Sequence, residues 1–199
     1  MYPMIQKILR APVTKFITPL CKGLLKLGLS ANGMTIIGSI GVVFSSLYFF
    51  SNEEFFVGTL VVTFFVLSDL LDGTMARISQ SAGTKWGALL DSTLDRLSDA
   101  TILIGIYFGI YESLNLESKL ILATLLVSGL IPYIRAKAES LGYECNVGYA
   151  ERTERLILIL TATGLYGLGF SSSFLVIIPV LLLLGLHTIY LRMMIVYRR

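Results

Sequence analysis

The polarity of the chain alternates in long blocks. Six apolar runs, at about residues 33–50, 54–78, 87–111, 118–140, 153–170 and 173–196, are separated by the short polar connectors SNEE, SQSAGTK, YESLNLES, GYECNVGYAE and GFSSS. Runs of roughly 17–25 apolar residues match the length an α-helix needs to cross a bilayer. The pattern predicts an all-α integral membrane protein with six transmembrane helices. Ahead of the first run, residues 1–30 interleave Lys7, Arg10, Lys15, Lys22 and Lys26 with Ile5, Ile8, Leu9, Val13, Phe16, Ile17, Leu20, Leu24 and Leu25. Apolar residues at helical spacing with cations between them predict an amphipathic helix in the membrane interface, beside anionic headgroups. The segment carries no small-residue cleavage site, which argues against a secretory signal. No soluble linker interrupts the series, so residues 1–199 are read as one domain.

Composition strengthens this picture. The chain is 55% hydrophobic and 15% charged, against about 25% charged for a soluble domain. Charge then sets orientation. With the N-terminus inside and six spans, 15 of the 16 basic residues fall on the inner side and only Lys119 falls outside, whereas the outer loops carry Glu53, Glu54, Glu112 and Glu117. Basic residues collect on the cytoplasmic side of membrane proteins. Both termini are expected in the cytoplasm and the chain in the cell membrane.

That orientation brings one stretch, SDLLDGTMARISQSAGTKWGALLDSTLDRLSD, to the cytoplasmic rim. Asp69 and Asp72 are three residues apart; Asp91, Asp95 and Asp99 are each four apart. Both spacings stack side chains on one helix face. Two antiparallel helices joined by a short loop therefore aim Asp69, Asp72, Asp91 and Asp95 into one small volume. Like charges so placed repel, and burying them unpaired is costly. A divalent cation, or two, removes the conflict. Oxygen-only ligation suits Mg²⁺ or Mn²⁺ rather than zinc, and carboxylate-held hard cations facing cytoplasmic phosphates imply phosphoryl chemistry. Asp99 lies deeper and is left for an arginine partner or a role in the fold. Gly73, Ala76 and Gly87 keep the helices slim, either for helix packing or for approach of a ligand to the backbone. Arg77, one turn beyond Asp72, is placed to meet a phosphate.

The order Asp69-x2-Asp72-Gly73-x2-Ala76-Arg77…Gly87-x3-Asp91-x3-Asp95 resembles the signature of the CDP-alcohol phosphatidyltransferase family. The six spans and the N-terminal amphipathic segment resemble that family over the whole chain. One departure is the nine-residue gap ISQSAGTKW between Arg77 and Gly87, where family members commonly have eight. The extra residue falls in the loop. The resemblance implies that Asp69, Asp72 and Asp91 hold two divalent ions gripping the diphosphate of a CDP-linked lipid. It implies that Asp95 takes the proton of the incoming hydroxyl and also touches a metal, and that Gly73 and Arg77 contact the nucleotide. SANGMT resembles the family's N-terminal element, making Asn32 and Thr35 nucleotide-pocket candidates, with plain helix N-capping the equal alternative. A homodimer is also implied.

The other cations bear on the acceptor alcohol. Arg135 and Lys137 close the fourth run, Arg152 and Arg155 open the fifth, and Arg192 lies about a turn and a half inside the sixth. Membrane anchoring explains Arg192 poorly. Cations converging beside a metal site point to an acceptor carrying its own phosphate. YIRAKAESLG, ERTERL and DRLSD resemble the subgroup that makes inositol-phosphate lipids from inositol 1-phosphate. Glycerol 3-phosphate is the alternative acceptor, and the donor lipid, diacyl or archaeal ether, is open. A divalent metal-ion transporter is the rival of another class, because intramembrane carboxylates also line ion paths. It requires polar residues continuing outward, and the second and third runs become apolar beyond Ser68 and Thr101. Nucleic acid is not an expected partner. Cys21 and Cys145 show no metal or redox spacing, His187 is read as a packing or interfacial residue, and Gly105-x3-Gly109 as a close helix contact within the subunit or at a dimer seam.

Overall fold

The computed structural model describes residues 17–79, 84–111 and 116–198. Helix α1 covers 17–26. It is followed by α2 (Ala31–Ser45), which continues through a wider π turn (Ser46–Phe50), then α3 (Phe55–Val66), α4 (Ser68–Ile78), α5 (Lys85–Ile110), α6 (Leu116–Ser140), α7 (Arg152–Gly167) and α8 (Ser173–Tyr197). Among the described residues there is no strand. The charged N-terminal residues Lys7, Arg10 and Lys15 lie outside the described residues, as does the loop over 80–83 that carries the unusual gap.

The expected apolar runs are all helical, with two differences. The second is not one straight rod. It is interrupted at Leu67, between α3 and α4, and just beyond the break Ser68 packs on α2, where Gly38 makes room for it: a Cβ on Gly38 would sit 1.8 Å from Ser68 Oγ. The fifth ends at Gly167, three residues short of the expected boundary. Four stretches are long and apolar enough to cross a membrane, Ala31–Phe50, Phe55–Ile78, Leu116–Ser140 and Ser173–Tyr197. Helix α5 carries Asp95, Arg96 and Asp99 in its run, and α7 has only 16 residues. Phe44, Phe64, Leu126 and Leu183 stand well exposed on outward faces, which suits a lipid surrounding.

One apolar core joins α2, α3, α5, α6, α7 and α8 around Phe50, Phe55, Ile102, Ile106, Phe174 and Ile178. Its aromatic centre stacks Tyr166 on Phe174 at 4.7 Å and sets Phe55 edge-on to Tyr166 at 5.0 Å. The Gly105/Gly109 pair is spent here. A Cβ at Gly105 would lie 2.4 Å from Ser46 O, and one at Gly109 would lie 2.1 Å from Phe50 O, so α5 rides directly on the π-turn backbone. That accounts for the pair by packing within the subunit. Helix α1 uses its apolar face in the same way: Ile17, Cys21, Leu24 and Leu25 pack with Leu71 and Met75 of α4. It braces the segment that carries the aspartates.

Gly109→Val is expected to lose the fold, since backbone cannot yield and overpacking costs about 1–3 kcal/mol or more. Size-exclusion chromatography in detergent should show aggregation. Gly129→Ala, where a Cβ meets nothing within 4 Å, should elute as the parent does.

Candidate active site

Local sequence sets up each side of the site. Thr84 caps α5, its hydroxyl accepting the Gly87 amide at 3.2 Å, and from there Asp91, Asp95 and Asp99 descend one face of the helix. Helix α4 begins at Ser68, directly after the break, so Asp69 occupies its first turn and Asp72 the next. Asp72 is buried and accepts a 2.7 Å hydrogen bond from the Thr35 hydroxyl. Thr35 is thus not the N-cap of α2, and it lies beside a motif aspartate. The cap of α2 is Ser30, whose hydroxyl accepts the Gly33 amide at 3.0 Å. Asn32 lies beside the start of α5: a Cβ on Gly87 would stand 3.3 Å from its Oδ1. Gly73 faces open space, with nothing within 4 Å of where its Cβ would be, as an approaching ligand requires. Arg77 is exposed and donates to Thr74 Oγ1 at 2.9 Å.

The carboxylates of the two helices share one electrostatic field. Asp72 is repelled by Asp69 and Asp91, and Asp95 by Asp91, Asp69 and Asp99. The answer comes from α7. Arg152 Nη1 meets both Asp69 and, at 3.0 Å, Asp95 Oδ1, while its Nε reaches Asp99 Oδ1 at 3.2 Å. Arg155 Nη2 takes the other Asp99 oxygen at 3.0 Å, and its Nη1 donates to Ala150 O at 2.9 Å. Asp99 therefore holds the first turn of α7 in place.

Four of the five cations expected to meet an acceptor phosphate gather near the strap of non-helical chain between α6 and α7. Arg152 and Arg155 join the aspartates. Arg135 pairs with Glu139 at 2.9 Å, donates to Asn146 at 2.6 Å and faces Glu151 at 3.8 Å. Lys137 is exposed. Arg192 is only 1% exposed and donates to Val147 O, Ile131 O and Glu151 Oε1 at 3.0, 2.7 and 2.7 Å. Its place inside an apolar run is explained by these three tethers, and it stands as a strut for the strap. Glu151 and Asn146 were not anticipated; both earn their place through contacts distant in sequence, which spacing along the chain does not encode. His187 stacks on Tyr149 at 6.0 Å.

The donor set fits hard divalent cations. It offers oxygen only, five carboxylates against two guanidiniums, and among the described residues no ion pair reaches Asp72 or Asp91. Among those residues no three acidic, His or Cys side chains are gathered closely enough to hold a metal ion; the carboxylates of the two helices are near enough to repel one another. Asp69, Asp72, Asp91 and Asp95 would hold the ions, as oxygen ligands do.

Asp99→Asn should remove the countercharge of Arg155, whose side chain is 4% exposed. Stripping one partner from a buried pair costs about 3–5 kcal/mol, measurable as a lower unfolding midpoint in detergent. Asp91→Asn, at an exposed position, should change stability by no more than about 0.5 kcal/mol.

Comparison with known proteins identifies the family. A phosphatidylinositol phosphate synthase from Mycobacterium tuberculosis (strain ATCC 25618 / H37Rv) is 40% identical over 164 residues, covering 81% of this chain and 75% of that protein. The crystal structure of the M. tuberculosis phosphatidylinositol phosphate synthase in complex with manganese and citrate matches with a TM-score of 0.85 at 36% identity, covering 90% of this chain and 88% of that one. The same enzyme with CDP-DAG bound gives a TM-score of 0.85 at 35% identity, covering 92% and 94%. The CDP-alcohol phosphatidyltransferase family profile matches residues 29–197. By sequence and fold, the chain belongs to the CDP-alcohol phosphatidyltransferase family.

Proposed function

We propose that this protein transfers the phospholipid group of a CDP-linked lipid to inositol 1-phosphate, releasing CMP. The observation that carries the reading is the row of motif aspartates on α4 and α5 met by Arg152 from α7. Support for the substrates comes from relatives named phosphatidylinositol phosphate synthase and from a related structure with CDP-DAG bound. Support for the ions comes from the related manganese complex.

Two divalent ions, Mg²⁺ or Mn²⁺, supply when bound the positive charge that the diphosphate and the departing CMP need. The chain's residues do the rest. Asp95 Oδ1 is engaged by Arg152, which leaves its second oxygen to take the acceptor hydroxyl proton. The hydroxyl oxygen bonds to the lipid-bearing phosphorus as the bond from that phosphorus to CMP breaks. Arg152 holds the base in orientation, Gly73 leaves space for the nucleotide, and Arg77 lies on the same helix to meet it. Arg135, Lys137 and Arg152 are the cations for the acceptor phosphate, with the buried Arg155 and Arg192 behind them.

In this reading α2, α3–α4, α5, α6, α7 and α8 cross the cell membrane six times, with both termini and the site on the cytoplasmic side. The positive-inside distribution supports that orientation. The lipid tails then stay in the bilayer while the diphosphate meets water-borne acceptor. The protein acts as a homodimer, through a seam other than the buried Gly105/Gly109 pair.

Purified protein given CDP-DAG, Mg²⁺ and inositol 1-phosphate should release CMP. Chelation should stop release, and Mg²⁺ or Mn²⁺ should restore it. Asp95→Asn should lower turnover by about 10²–10⁴-fold, the usual share of a general base, while CDP-lipid binding is largely kept. Use of glycerol 3-phosphate without inositol 1-phosphate would refute the acceptor assignment, and no CMP with any acceptor would refute the transferase.

A further inference from the structure

The strap between α6 and α7 sets where Arg152 points. After Gly142, in the left-handed region at φ +85°, the chain runs without regular structure until α7 begins at Arg152. Irregular backbone packed against helices must have its amides and carbonyls satisfied by side chains. Two of the carbonyls are already accounted for: Val147 O by Arg192 and Ala150 O by Arg155. The amides immediately before α7 are held by a residue on α8 with no part in the proposed chemistry, Thr188.

Thr188 is 0% exposed. Its hydroxyl donates to Leu184 O at 2.8 Å and accepts the amides of Tyr149 and Ala150 at 3.1 and 3.3 Å. Its methyl fills the notch left by Gly148: a Cβ there would sit 2.3 Å from Thr188 Cγ2, and Gly148 has φ +117°. Hydroxyl and methyl together fix the strap in position along its own length and in height against α8. Arg152 follows two residues after Ala150, and its guanidinium spans Asp69, Asp95 and Asp99.

We infer that Thr188 is a positioning residue, which seats the 148–150 strap on α8 and thereby aims Arg152 at Asp69 and Asp95. It touches neither aspartate, and it acts through Arg152. The inference rests on the proposed reading, in which Asp95 is the base and Arg152 orients it. A side chain displaced by about 1 Å in such a site costs about 100-fold in rate.

The test is a cycle of four proteins, wild type, Thr188→Val, Arg152→Gln and the double variant, assayed for CMP release from CDP-DAG with Mg²⁺ and inositol 1-phosphate. Thr188→Val keeps the shape and removes the hydroxyl. It should lower kcat over KM for inositol 1-phosphate by about 100-fold and leave KM for CDP-DAG within about two-fold of wild type. Thr188→Ser, which keeps the hydroxyl, should recover most of that loss. Residues acting as one unit are non-additive, so Thr188→Val should cost nothing further once Arg152 is Gln. Additive losses, an equal loss in CDP-DAG KM, or a wild-type rate for Thr188→Val beside a slow Arg152→Gln would overturn the inference. If Thr188→Val does not fold, Thr188→Ala is put through the same cycle with the same criteria. A wild type that releases no CMP with inositol 1-phosphate sinks the functional reading first, and an Arg152→Gln enzyme as fast as wild type sinks the role of Arg152.

Discussion

Five carboxylates on the facing sides of α4 and α5 repel one another, and much of the molecule is arranged around that repulsion. Two arginines in the first turn of α7 relieve part of it by bridging Asp69, Asp95 and Asp99. The relief is deliberately incomplete in charge terms. Asp72 is answered by a neutral hydroxyl, Thr35, and Asp91 stays at the exposed mouth. The residual negative potential is what a divalent cation would neutralise. Apolar residues in place of buried ion pairs are often as stable or more so, so stability alone does not account for the arrangement.

Holding two guanidiniums at that spot requires a rigid platform outside the site. The strap at 141–151 provides it, and its partners are drawn from α6, α7 and α8 rather than from α4 or α5. Arg192 links Ile131, Val147 and Glu151; Arg135 approaches Glu151 from the other side. Cations that look alike in the sequence thus divide into those that face the aspartates and those that hold the strap. On the opposite flank, α1 and α2 brace α4 through the Leu71 and Met75 contacts and through Thr35. The carboxylates are thus supported from two sides.

The parts of this arrangement legible in the sequence were those written in local spacing. Apolar blocks gave the helices, and three- and four-residue intervals put Asp69 with Asp72, and Asp91 with Asp95 and Asp99. The three- and four-residue rule is a property of one helix, so it needs no knowledge of the fold. What stayed hidden depends on pairs far apart in the chain. The break at Leu67 lies beside the close approach of Gly38 and Ser68, and nothing near Leu67 in the sequence announces it. Arg192 carried a visible anomaly, a cation within an apolar run, yet its three acceptors lie 41, 45 and 61 residues away. Thr188 gave no signal, because a threonine in an apolar helix ordinarily bonds its own i−4 carbonyl, and this one does that as well.

The dependence of the strap on α8 has a consequence for how the protein is made. Helices α4, α5 and α7 leave the ribosome before α8 does, so the aspartates and their arginines are all synthesised while the residues that seat the strap are still missing. Until α8 packs beside α6 and α7, the strap lacks the tethers that Thr188 and Arg192 give it, and Arg152 and Arg155 meet the aspartates from a chain that is held only at α7. The charged residues of the site are therefore all present before their support is complete, and α8, the last helix made, supplies the remaining contacts that hold the strap.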